Sequence, residues 1–145
     1  MRATSISGCL LLLSVTVALA RQPETVDELK RRAEAARGNE QVKLYLVLAQ
    51  RQLQSADEAY NQGKADAGHG AAEDAAASCE KAVTVAVDSH KHLKEAEIKI
   101  RELTRKLESL RRSLSFEERE PLQGVIDRMD KARNRLVNAM FGPKP

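Results

Sequence analysis

The stretch from Gly68 to Leu114, GHGAAEDAAASCEKAVTVAVDSHKHLKEAEIKIRELTRKLESLRRSL, carries one heptad seam along its whole length. The seam positions are Gly68, Ala72, Ala75, Cys79, Ala82, Ala86, Ser89, Leu93, Ala96, Ile100, Leu103, Leu107, Leu110 and Leu114. Their spacing alternates between four and three, the a/d pattern of a helix that buries one stripe. Its first half is small residues and its second half mostly large aliphatics. The spacing predicts one helix over 65–114, ~70 Å long at 1.5 Å per residue. The fold class expected from it is all-α.

Outward from the seam, Gly63 occupies the position after a helix end, where a left-handed backbone closes the last turn without steric cost. The helix it ends is predicted over 40–62. Its apolar stripe is Val42, Tyr45, Leu46, Ala49, Leu53, Ala56, Ala59 and Tyr60. Before it, Thr25-Val26-Asp27-Glu28 is a capping box, a Ser or Thr followed three residues later by Glu. It opens a short helix within 21–38 that ends near Gly38. Beyond the seam, Ser115-Phe116-Glu117-Glu118 is a second capping box. Pro121 is expected to reset the first turn, so the last helix is predicted over 121–140. Its stripe is Leu122, Val125, Ile126, Met129, Ala132, Leu136 and Met140, and Gly142-Pro143 ends it. No segment alternates with period two, so no sheet is expected.

These lengths predict elongated antiparallel hairpins sharing one long central helix within a helical domain at 39–142, followed by a tail at 143–145. Helix 40–62 covers the small half of the seam, and helix 121–140 returns over the leucine half. On that reading the chain is a monomer with Leu107 near Ile126 or Met129. The alternative is a coiled-coil dimer along the seam.

Residues 1–20 have the form of a secretory signal. Arg2 supplies positive charge, Cys9 to Ala20 is apolar apart from Ser14 and Thr16, and Ala18-Leu19-Ala20 is an A-x-A cleavage site. The run is too short for a membrane-spanning helix, which needs ~20 apolar residues. Ile6-Ser7-Gly8-Cys9 matches a bacterial lipid-attachment motif. There the apolar run precedes the cysteine and here it follows, which argues against lipidation. Cleavage after Ala20 leaves 125 of 145 residues, a single domain, and lowers the net charge from +3 to +2 because Arg2 departs. Cys79 is then the one remaining thiol, so no intrachain disulfide is possible. The expected location is periplasmic or secreted.

Chemistry-bearing constellations are scarce. His90 and His92 are about 200° apart around a helix and cannot chelate one metal from one face, and His69 is remote. Cys79, between Ala75 and Ala82, reads as a small buried hydrophobe; an intermolecular disulfide would need the dimer. No nucleophile triad, phosphate loop or paired buried carboxylate stands out. The expectation is therefore no catalytic residue, no cofactor and no metal. The pairs Glu95–Lys99, Glu97–Arg101, Glu102–Lys106 and Glu108–Arg112 have acid-first i,i+4 spacing, which suits a solvated face. Residues 55–80 hold six acids against Lys64 alone, while 91–112 hold eight bases against four acids. Along one straight helix this makes a dipole, acidic around Gly63 and basic toward Arg111 and Arg112. Export argues against nucleic acid, leaving a protein partner or an anionic envelope surface at the basic end.

Two resemblances rest on particular residues. Leu48-Ala49-Gln50-Arg51-Gln52-Leu53-Gln54-Ser55-Ala56, with Tyr60, Gly63 and Lys64, resembles the helix-turn-helix of a tetratricopeptide repeat, with Ala56, Gly68 and Ala75 at its small positions. It covers about one repeat and lacks the aromatic that starts helix A and the proline that ends helix B. The Leu48–Leu53 core is also similar to exported bacterial helical domains of unknown function. Leu114-Ser115-x-x-Glu118 resembles the L-T-x-x-Q motif of periplasmic helical-hairpin chaperones and metal sensors, with Ser for Thr and Glu for Gln. The first resemblance implies a compartment and a fold but no activity. The continuous seam and the missing catalytic set lead instead to the expectation of an exported, non-enzymatic interaction or scaffold protein; the Leu114–Glu118 motif and the basic helix make an envelope holdase-like chaperone or stress-sensing helical-hairpin protein the alternative.

Overall fold

A computed structural model describes residues 23–143; the segment read as an export signal lies outside them. The described residues form five helices and no strand: α1 (Val26–Ala35), α2 (Gly38–Asn61), α3 (Ala65–Ser89), α4 (Leu93–Ser113) and α5 (Phe116–Phe141). The protein is all-α, as the patterning requires. At the start of α1, the Thr25 N–H donates to Glu28 Oε2 at 2.9 Å and the Glu28 N–H donates to Thr25 Oγ1 at 3.2 Å, so each satisfies an orphan donor of the first turn.

The single helix expected over 65–114 is two helices. The chain turns back on itself at His90-Lys91-His92. His90 lies in the left-handed region at φ +51° and His92 at φ +57°. The His90 N–H donates to the Val87 carbonyl and the Lys91 N–H to the Ala86 carbonyl, both at 3.2 Å. That pair of bonds is a Schellman closure, with His90 where glycine is usual. The heptad spacing runs through the reversal unbroken because a three-residue link happens to preserve its phase. Periodicity reports which residues face a core; it does not report whether two consecutive stripes lie on one straight rod.

Interhelix bonds fix the directions. Ser78 Oγ donates to Gln52 Oε1 at 2.7 Å, and Tyr60 lies against Gly68, so α2 and α3 are antiparallel. Arg128 binds Glu80 while Arg135 donates to Thr84, so α5 runs parallel to α3. Arg133 on α5 binds Glu97 near the start of α4, which makes α4 and α5 antiparallel. Helix α4 therefore runs beside α2 in the same direction. Around the bundle the order is α2, α3, α5, α4, with α2 and α5 on a diagonal where they do not meet. Helix α1 packs on α2 and belongs to the same bundle.

The seam is covered by the chain's own helices. Ala72, Ala75, Cys79, Ala82, Ala86, Ala96, Ile100, Leu103 and Leu107 are fully or almost fully buried. The α4–α5 register sets Leu107 level with the buried stretch from Leu122 to Ile126. Gly68 admits the Tyr60 ring: a Cβ there would stand 2.6 Å from it. Leu48 and Gln52 are buried beyond the predicted stripe of α2. Gln52 is tolerated because Ser78 satisfies it.

Helix α5 starts at Phe116, five residues earlier than predicted from Pro121. The Ser115 N–H and hydroxyl donate to Glu118 Oε2 at 3.1 and 2.6 Å and hold the first turn. Pro121 sits just inside the helix and withdraws one N–H without stopping it. Glu97, expected on a solvated face, is buried and accepts from Arg133 Nε at 2.7 Å, with Arg101 at 3.8 Å.

Candidate interaction surface

Because α4 folds back, its basic C-terminal end lies beside the acidic hairpin at Gly63. Burial pushes the Tyr60 phenol up, and Glu118 and Asp66 add to the shift, which records three helix ends gathered at one pole. The end-to-end dipole expected from one long helix is therefore absent. Charge separates across the bundle instead. Helix α3 carries five acids against Lys81 alone, and α4, diagonally across from it, carries seven bases against four acids.

Among neighbours in the bundle, α2 and α4 make the thinnest contact. Between them lies an open groove of about 510 Å³. Its floor is Leu53 from α2 with Leu103 and Leu110 from α4; its lips are Gln50, Gln54 and Asp57 on one side, Lys106, Ser109 and Ser113 on the other. The three leucines are buried and all six lip residues are exposed. Lys106 and Ser109 also border a shallow depression on the outer face of α4, together with Ile98, Arg101, Glu102 and Arg105. One ridge of α4 thus has an apolar groove on one flank and a basic face on the other. Ile98 is 45 % exposed in that basic face.

The ion pairs on this face are uneven. Glu102 accepts from Lys106 at 2.9 Å and Lys99 at 3.3 Å, and those two ammonium groups, Lys106 first, hold its carboxyl below the ordinary range. Arg105 has no ion-pair partner among the described residues. The predicted pairs Glu97–Arg101 and Glu102–Lys106 form; Lys99 reaches Glu102 rather than Glu95.

The other candidate residues do not converge. His69 stands 3.8 Å from Glu73 on α3, and His92 is 4.0 Å from Glu95, while His90 closes the α3–α4 turn. Among the described residues no three of His, Cys, Asp and Glu gather in a form that could hold a metal. Cys79 is fully buried, and burial pushes its thiol up to about 12, so it is neither a nucleophile nor available to another chain. No described helix is long and apolar enough to cross a membrane. The Leu114–Glu118 motif is spent on starting α5. Phe116 and Phe141, at opposite ends of α5, are 84 % and 80 % exposed.

The groove was not visible in the sequence. Leu53, Leu103 and Leu110 were legible as buried stripe residues, but their shared opening depends on the reversal at His90. Comparison with known proteins found no matching family model, no matching curated protein and no matching solved structure.

Proposed function

We propose that this chain is a non-enzymatic, exported interaction module that holds a partner protein in the α2–α4 groove. The carrying observation is the groove itself: an elongated opening over three leucines, flanked by exposed polar lips, along the thinnest contact between adjacent helices of the bundle. Clefts between helices of a bundle are common binding sites, and two parallel lips suit a third helix. The export half of the reading rests on the signal-like residues 1–20 and predicts a mature N-terminus at Arg21. A tetratricopeptide-like role for the α2–α3 hairpin is consistent with the antiparallel packing of Ala56, Gly68 and Ala75, all buried.

Affinity capture from envelope extract tests it. The intact chain should retain a discrete partner, and Ser109→Trp, which fills the groove from an exposed position, should lose that partner while its circular dichroism is unchanged. Retention by the filled variant would remove the groove from the function. Mass spectrometry of the exported form should find Arg21 first. The second reading, a holdase of the envelope, is favoured by the exposed Phe116 and Phe141. Lack of protection of a denatured client at molar excess would eliminate it.

A further inference from the structure

Resting on the groove reading above, we infer that the partner segment is an acidic amphipathic helix, seated with its apolar stripe on Leu53, Leu103 and Leu110 and its acidic flank against α4. The floor sets the apolar part. Leu103 and Leu110 are seven residues apart on one helix, two turns and ~10 Å, with Leu53 across from them. That spacing matches the i, i+3/i+4, i+7 anchors of a helix lying in a groove.

The lips set the charge. The α4 side presents Lys106 in the groove, with Arg105 and Arg101 immediately over the ridge. Of the four acids of α4, Glu97 is committed to Arg133 and Glu102 to Lys99 and Lys106, while Glu95 lies beside His92 at the far end and Glu108 lies on the α5 side with Asp130 and Arg133, so none of the four lines the groove. Arg105 is left without an acid, and Lys106 can pass part of its interaction to an incoming carboxylate. The α2 lip offers Gln50 and Gln54, which are neutral, and Asp57 near the Gly63 pole. A helix with acids on one flank, and a neutral or basic residue facing Asp57, is complementary in one orientation only.

Two other occupants fit less well. A flat anionic membrane would meet six acids at this pole, Asp57, Glu58, Asp66, Glu117, Glu118 and Glu120, against the four bases Lys64, Arg111, Arg112 and Arg119, so its attraction is cancelled there. A second copy could offer acidic α3, whose outward face carries Gly70 and Ala77 beside Asp66, Glu73 and Asp74 and has no leucine to reach the floor.

A display library of short helices tests the inference, with leucine fixed at i, i+4 and i+7 and the flanks varied among Glu, Gln and Lys. Panned on the purified chain, it should enrich helices with Glu on one flank. Their affinity by fluorescence anisotropy should fall on the order of tenfold from low to high salt. The double variant Arg105→Glu with Lys106→Glu, both exposed positions, should prefer Lys flanks instead. Enrichment of leucine helices without a charge preference, or with Lys flanks on the unaltered chain, overturns the partner's chemistry and leaves the groove reading standing. No enriched helix at all removes both. Binding of anionic phospholipid vesicles in place of helices assigns the basic face to a membrane, and a dimer in sedimentation whose groove is closed assigns it to a second copy; either result overturns the inference.

Discussion

The turns at Gly63 and at His90 have the same hydrogen-bond geometry and opposite legibility. At the first, the Gly63 N–H donates to Tyr60 at 3.0 Å and the Lys64 N–H to Ala59 at 2.9 Å; at the second, the corresponding bonds from His90 and Lys91 are both 3.2 Å. Gly63 has φ +72° and no Cβ to clash, so its turn forms on local grounds. His90 and His92 adopt left-handed backbones against a cost of about 1–2 kcal/mol each. What offsets that cost lies elsewhere: α4 buries Ala96, Ile100, Leu103 and Leu107 completely only when it folds back. A turn can therefore be written by its own residue, or imposed by the burial that follows it.

The largest expected effect breaks the second turn's support. Leu107→Ala removes a fully buried side chain and should cost on the order of 2–5 kcal/mol by urea denaturation. Fluorescence or exchange probes on α4 and α5 should show the loss before those on α2 and α3. Equal loss in both hairpins would mean that the two halves are not held separately.

Next come two glycines on one helix. Gly68→Ala forces a Cβ into the buried Tyr60 ring and should destabilise by about 1–3 kcal/mol despite alanine's better helix propensity. Gly70→Ala meets nothing within 4 Å and should stabilise by up to about 1 kcal/mol. Chemical denaturation of the pair reads opposite signs; the same sign for both would contradict the Tyr60 contact.

The turns can then be compared directly. Gly63→Ala should destabilise by about 1 kcal/mol, whereas His90→Gly should stabilise by roughly 0.5–1 kcal/mol, since glycine relieves the left-handed backbone but adds freedom to the unfolded chain. Thermal melts of both variants check this. A destabilised His90→Gly would show that the imidazole contributes to the turn beyond its backbone.

The smallest effect near neutral pH belongs to Cys79. Its thiol has its ordinary value of 9.0 raised to about 12 by burial, so the folded state favours the neutral form. Its contribution is fully present below pH 9 and is lost as pH rises through 12. Thiol labelling of native protein at pH 8 should proceed only at the rate of unfolding. Rapid labelling would place Cys79 at the surface.

Much of the architecture was readable. The stripe of α2 from Val42 to Tyr60 is buried except Ala59, and that of α5 from Leu122 to Leu136 is buried throughout, because amphipathic spacing responds directly to removal from water. Both capping boxes bond as their spacing requires, since they involve neighbours in one turn. Pro121 misled the start of α5 because the Ser115–Glu118 bonds hold the turn that proline was expected to break. Gln52 and Glu97 could not be recognised as buried, since Ser78 and Arg133, the groups that satisfy them, are distant in sequence.

By itself, then, the sequence determined most of the helical residues, the link at 90–92 and the first turn of α5 apart, and the apolar stripe each helix takes out of water, because both follow from interactions within a few residues. Tertiary structure alone decided that the long seam is two antiparallel segments, that acidic and basic ends share a pole, and that Leu53 opens onto Leu103 and Leu110. Those outcomes depend on burying two stripes against each other across the bundle, and that gain is what makes left-handed backbone at His90 and His92 favourable.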